Sequence, residues 1–224
     1  MVWSLEKLQT LCEVFTDGDW IESKHQSTEG VRLIQTGNVG VGKFKNRRDK
    51  ARFISIDTFQ QLKCCEIHEG DCLVSRLPDP VGRSCLLPNT GEKMITAVDC
   101  TILRFNKDKI IPEYFNFFSQ SSSYLIEVES LTSGATRKRI SRKNLGLVEI
   151  PLPPIPEQKR IVALLDTVFA DLEQTRAKTE QNLKNACELF DSYLQQVFSQ
   201  KGEGWESILL GEIADLVDSL HTTP

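Results

Sequence analysis

Most of what a catalyst needs is scarce in this sequence. Only three of the 224 residues are histidine, His25, His68 and His221, and none stands at ligand spacing from a cysteine, so no zinc site is expected. Nor do they join a serine and an aspartate in a nucleophilic set. The seven cysteines (Cys12, Cys64, Cys65, Cys72, Cys85, Cys100 and Cys187) are odd in number, include an adjacent pair and contain no C-x-x-C. That argues against a disulfide framework and for reduced thiols packed as small hydrophobes. No run approaches the roughly 18 consecutive apolar residues of a membrane-spanning helix. The opening MVWSLEKLQT lacks the basic leader and apolar run of a signal peptide, so a cytoplasmic location is expected.

What is present fits a soluble protein with a sizeable core, at 40% hydrophobic and 26% charged residues. The net charge is −4, yet its distribution is uneven. Lys43 to Arg52, KFKNRRDKAR, has six basic residues (Lys43, Lys45, Arg47, Arg48, Lys50, Arg52) against one acidic, Asp49. Arg137 to Lys143, RKRISRK, has five (Arg137, Lys138, Arg139, Arg142, Lys143) and no acidic residue. Two such clusters in an acidic chain point to a surface that faces phosphates.

The stretch TGNVGVGKFK, Thr36 to Lys45, contains G-x-x-x-x-G-K. A phosphate-cradling loop needs a hydroxyl after the lysine and an apolar helix behind it. Phe44 stands in the hydroxyl position and KNRRDKAR follows, so the glycines read better as a turn that carries Lys43 and Lys45 toward a phosphate backbone. Nothing resembles the acid-or-amide-Pro-Pro loop of an amine methyltransferase. The E-x-K at Glu22 to Lys24 lacks the acidic partner a nuclease needs.

The first ~150 residues read as mixed α/β. VRLIQT (31–36), CLVS (72–75) and ITAVDCTILRF (95–105) are strand-like, and IPEYFNFFSQ, with Pro112 near its first turn, reads as a short helix. Pro151, Pro153, Pro154 and Pro156 then hold the chain extended. From Glu157 to about Gln200 there is neither glycine nor proline. Ile161, Leu165, Val168, Leu172, Leu183, Ala186, Phe190 and Val197 recur at steps of three and four, with Thr175 and Thr179 between. This is one seam of a long helix, a rod of about 64 Å, that packs along a partner helix. Gly202 to Gly204 stop it. The last segment echoes the first: placing Trp3 on Trp205 puts Leu8 on Leu210, Leu11 on Ile213, Glu13 on Asp215 and Val14 on Leu216. The expected fold class is therefore α+β. A mixed α/β domain (1–150), a proline-rich elbow (151–156), a coiled-coil-forming helix (157–201) and the opening of a second repeat (202–224) follow in order.

LVEIPLPPIPEQKRIVALLD (147–166) resembles the junction of type I restriction-modification specificity subunits, where an apolar strand meets a proline-rich elbow and a long spacer helix. The tracts VRLIQTGNV, EGDCLVSR…VGRSCLL and SGATRKRISRKNL are similar to that family in order, and WESILLGEIADLVDSLHTTP looks like the opening of its target-recognition domain. The resemblance implies a non-catalytic subunit without a cofactor of its own. It would read one half of a split DNA target and bind methyltransferase subunits, with restriction subunits as further partners. With one recognition domain and one spacer helix, the chain is expected to act as a half-subunit that pairs with a second copy.

The phosphate candidates are Lys43, Lys45, Arg47, Arg48, Arg137, Lys138, Arg139, Arg142 and Lys143, together with Arg76 and Arg83 around a Pro/Gly turn. Gln35, Asn38 and Thr136 are candidates for polar contacts. Two alternatives stay open: a coiled-coil scaffold that binds protein alone, and a nucleotide-binding enzyme built on the G-x-x-x-x-G-K match.

Overall fold

The computed structural model describes residues 3–134, 136–200 and 202–215. It divides into two compact units, Met1–Val168 and Phe169–Pro224.

The first unit holds three sheets. β1 (Ser4–Lys7) pairs antiparallel with β11 (Glu149–Leu152). A second sheet runs β2 (Cys12–Asp17), β10 (Cys100–Phe105), β7 (Cys72–Ser75), β8 (Ser84–Leu86), all antiparallel. A third runs β3 (Gln26–Ser27), β5 (Arg52–Ile54), β4 (Val31–Ile34), β9 (Met94–Thr96), β6 (Glu66–Ile67). Only its central β4–β9 pair is parallel.

The period-2 rule explains how these sheets stack. On β7 and β10, Cys72, Val74, Leu103 and Phe105 face a core shared with the helices α2 (Pro112–Phe118), α3 (Ser122–Ser130) and α4 (Arg142–Leu147). The alternate residues Leu73, Cys100 and Ile102 face Ile34 and Met94 of the third sheet. The far side of that sheet, with Val31, Leu33 and Ile95, is covered in part by Phe59 of α1 (Ile56–Gln61). Strands buried on both faces read as mostly apolar runs, as in VRLI and CLVS, where even Arg32 and Ser75 are buried. Serines start three of the helices: the hydroxyls of Ser55, Ser121 and Ser141 accept from the amides of Thr58, Tyr124 and Asn144.

ITAVDCTILRF is not one strand. Ala97 donates its last amide to Ile34, Cys100 donates back to Ala97, and the chain passes from β9 in one sheet to β10 in the next.

The elbow is held from inside. Gln158 is fully buried. Its Oε1 accepts from the Ile111 amide (2.9 Å), and its Nε2 donates to the carbonyls of Lys109 and Pro153 (2.9 Å each). Tyr114 Oη donates to the Pro151 carbonyl at 2.7 Å. α5 (Ile155–Ser199) starts two residues before the expected Glu157, with Pro156 in its first turn, where a missing amide costs nothing. Ile161 and Val162 pack on the core, so the first seam position is spent on the domain itself.

In the second unit α5 continues from Phe169, and its apolar stripe is exposed. Leu172, Leu183, Phe190 and Val197 stand at 57%, 67%, 64% and 46% exposure, and Phe169, Leu189, Tyr193, Leu194 and Phe198 widen the stripe. Thr179 donates its hydroxyl to the Thr175 carbonyl, one turn back. Past the glycines, α6 (Leu210–Ile213) is a single turn entered from Leu209 at φ −70°, ψ 139°. The matching turn Leu8–Leu11 is entered from Lys7 at φ −68°, ψ 133°. Leu8 and Leu11 are core residues, whereas Leu210 and Ile213 are 60% and 67% exposed. The Val14–Leu216 correspondence, Lys201 and the stretch 216–224 lie outside the described residues.

Replacing Gln158 with Ala strands three backbone groups at the elbow. At about 1–3 kcal/mol for each buried group left unpaired, the loss should be at least about 2 kcal/mol. Urea denaturation should show a clearly lower midpoint, and an unchanged midpoint would refute this role.

Candidate nucleic-acid interface

The carboxyl ends of β4 and β9 create the site. Parallel strands end side by side, so the segments that follow them share one rim. After β4 the chain enters Gln35–Ala51, which carries the first basic cluster. After β9 it enters Ala97–Asp99, and Asp19 pairs with Ala97 on the side away from β4.

TGNVGVGKFK folds as a tight hairpin rather than a phosphate loop. Val39 and Phe44 form an antiparallel bridge. The amides of Asn38, Val39, Gly40 and Lys45 donate to the carbonyls of Gln35, Thr36, Lys43 and Asn38. Gly42, at φ +71°, donates to Ser84, and its carbonyl accepts from Asn116 Nδ2 at 3.0 Å. The amides of Asn38, Val39, Gly40, Gly42 and Lys45 are thus spent within the protein, and no helix begins behind Lys43. The next element is a single turn at Arg48–Lys50. The nucleotide-binding alternative fails on this geometry.

Arg83 and Arg76 do not face solvent. Both were phosphate candidates, and both are buried, at 8% and 5% exposure. The Arg83 guanidinium donates to the carbonyls of Val39 (2.8 Å), Leu77 (2.7 Å), Pro80 (3.1 Å) and Thr36 (3.0 Å). Burial pulls its pKa below the usual arginine value, though the surrounding carbonyls satisfy the charge. Arg76 donates to the Val98 carbonyl at 2.6 Å, and its Nε lies 3.3 Å from Asp17 Oδ1. Its pKa is lowered by burial first, with Asp17 opposing. Asn38 is also structural: its Oδ1 accepts from the Gln35 amide and its Nδ2 donates to the Lys45 carbonyl.

The other nine cations are exposed. Four are paired with carboxylates: Arg48 with Glu92 (2.6 Å), Arg139 with Asp99 (2.9 Å), Arg142 with Asp17 (3.9 Å) and Lys138 with Glu129. Lys45, Arg47, Arg137 and Lys143 make no ion pair among the described residues. Exposed pairs of this kind are worth about 0–1 kcal/mol, so a phosphate can compete for the cation at little cost. Arg47 lies over Gly37, where a Cβ would sit 2.3 Å from its Nη1. Gln35, Gly37, Asn38, Arg47, Lys50, Ala51 and Arg52 line an open depression of about 430 Å³.

Hydrogen bonds tie the turn that leads into the first cluster to the segment that carries Arg139, whereas Arg48 reaches Glu92, ahead of β9. Arg83 ties the 36–39 turn to the 77–80 turn. The Arg76 amide donates to the Asp99 carbonyl, and the Ile140 amide donates to the Arg76 carbonyl, which places Arg139 beside Asp99. Thr136 is exposed next to this second cluster. The sequence reading missed the carboxylates of Asp17, Glu92 and Asp99, since isolated acidic residues carry no local signal of what they will face.

Comparison with known proteins follows the same lines. A family model described as type I restriction modification DNA specificity domain matches residues 3–183. The chain is 39% identical over 82 residues to the StySPI type I restriction enzyme specificity subunit of Salmonella potsdam, covering 37% of this chain and 18% of that protein. It is 33% identical over 115 residues to the putative MjaX specificity subunit of Methanocaldococcus jannaschii, covering 51% and 26%. In fold it is similar to the HsdS subunit of Thermoanaerobacter tengcongensis, with a TM-score of 0.67 and 16% identity over 93% of this chain and 52% of that one. A second similar chain comes from the structural basis of complex assembly and conformational transition of the type I R-M system (TM-score 0.60, 26% identity, 82% and 43% coverage). The chain thus spans about half the length of these solved relatives, and its matches cover less of the curated ones.

Proposed function

Since the chain belongs to the type I restriction-modification DNA specificity domain family, we propose that its first unit docks on duplex DNA through the rim built on β4 and β9. The observation that supports this reading is the run of hydrogen bonds that ties the turn before the first basic segment to the second basic segment, remote in sequence. Phosphates take up Lys43, Lys45, Arg47, Arg48, Arg137, Lys138, Arg139, Arg142 and Lys143. They set affinity and register, while other side chains of the same rim meet base edges. The protein supplies recognition and no chemistry, so it needs no cofactor. Methyltransferase subunits that bind it carry the reaction, and restriction subunits join that assembly.

Each chain reads one half of a split target. The exposed stripe of α5 pairs with the same stripe of a second copy, which sets the distance between the two half-sites. A scaffold that binds protein alone would account for this stripe but leaves the two basic loops without a role.

Anisotropy of a labelled random-sequence duplex tests the first part. With at least four phosphates engaged, log affinity should fall with log salt at a slope of about −3.5 or steeper, from roughly −0.9 per phosphate. The double variant Arg47→Ala/Lys143→Ala should flatten it by about 2, and a flat response of the wild type would sink the proposal. Light scattering tests the pairing: the mass should be that of two copies, and a monomer at micromolar concentration contradicts it.

A further inference from the structure

One exposed aromatic stands near the proposed recognition rim. Trp20 is 70% exposed, well beyond what a residue that usually hides its ring would show. Its backbone is nevertheless clamped on both sides. Gly18 leaves no room for a Cβ, which would meet the Thr96 carbonyl oxygen at 2.3 Å. Gly18 donates to Cys100 and Asp19 donates to Thr96, each at 2.8 Å. Asp19 forms a parallel bridge with Ala97, and its carboxylate accepts from the Cys65 amide at 3.1 Å. On the other side Ile21 packs with Val31, Leu33 and Ile95. The indole is therefore held out in solvent on a fixed base.

That base belongs to the cationic rim. Asp19, Ala97 and Ile34 follow one another across adjoining strands, about 10 Å in all, and Ile34 leads into the first basic loop. Asp17, the partner of Arg142, is three residues away, at most about 11 Å of chain. Asp99, the partner of Arg139, is two residues past Ala97. An exposed apolar plate a short length of chain away from two exposed arginines fits a polyanion that offers flat, apolar faces between its charges.

We infer that Trp20 is a sequence-independent contact to the duplex, its indole packing on deoxyribose or base beside the phosphates engaged by Arg139 and Arg142. This rests on the DNA-binding reading above and adds a residue that the charge pattern does not reveal. Arginine contacts release counterions, whereas an apolar contact does not. Loss of Trp20 therefore lowers affinity at every salt concentration and leaves the salt slope alone.

The test compares the full chain with Trp20→Ala and Trp20→Phe on a labelled random-sequence duplex at low salt. Trp20→Ala should weaken binding roughly tenfold with an unchanged salt slope, and Trp20→Phe should recover most of the affinity. The duplex-induced change in tryptophan emission should vanish in Trp20→Phe. Wild-type affinity in Trp20→Ala overturns the inference and leaves the DNA reading standing, as does an effect confined to capture of a methyltransferase subunit. A flattened salt slope in Trp20→Ala overturns it as well, because the loss would then come from displaced cations. Absence of duplex binding by the wild type overturns the reading and the inference together.

Discussion

A single buried guanidinium fixes the geometry of the rim. Arg83 places its donors on four backbone carbonyls, two in the 36–39 turn and two in the 77–80 turn. A buried charge is tolerable only when its surroundings replace water. Here the replacement consists of the loop carbonyls themselves, so the loops cannot drift apart without stranding the charge. Tyr124 strengthens the arrangement by donating to the Gly82 carbonyl at 3.0 Å, from a side chain that is itself fully buried. The exposed cations of the first cluster stand on the segment anchored in this way. Arg83 serves the proposed DNA-facing surface without touching it.

The division of the arginines shows how much of the site can be read from sequence and where reading stops. The clusters at 43–52 and 137–143 are visible as charge density. Charge density does not say which way a side chain points. Arg76 and Arg83 sit beside a Pro/Gly turn like any surface pair, but Arg76 directly follows β7 and Arg83 directly precedes β8, and both are drawn inward with these buried strands. Nor does it reveal Glu92 or Asp99, which approach their arginines only through the tertiary fold. Predominantly apolar strand runs and the proline in the first turn of α2 are legible because local physics decides them. The split of ITAVDCTILRF was not, since both halves are equally apolar and only the change of sheet separates them.

At the other end of the domain, the elbow converts a motif into a joint. The prolines alone would only keep the chain extended. Gln158 gives the turn its partners by using both ends of its amide against the Ile111 amide and the Lys109 and Pro153 carbonyls. The helix then leaves the domain with Ile161 and Val162 still packed on the core. From Leu172 onward its apolar side chains are more than two-fifths exposed at the seam positions Leu172, Leu183, Phe190 and Val197. A stripe of that length has no counterpart within its own helix, and its polar face is already occupied by ion pairs such as Arg176–Glu180 and Lys184–Glu188. These features suit the proposed role of the helix as a spacer that pairs with a second copy.

The proposed seat of DNA is the rim at the carboxyl ends of β4 and β9. Amide hydrogen exchange, measured on the free chain and on the chain saturated with a random-sequence duplex at low salt, addresses it most directly. Slowed exchange concentrated in residues 35–52 and 136–143 is the predicted result. Slowing that falls elsewhere while both segments exchange as in the free protein would contradict it.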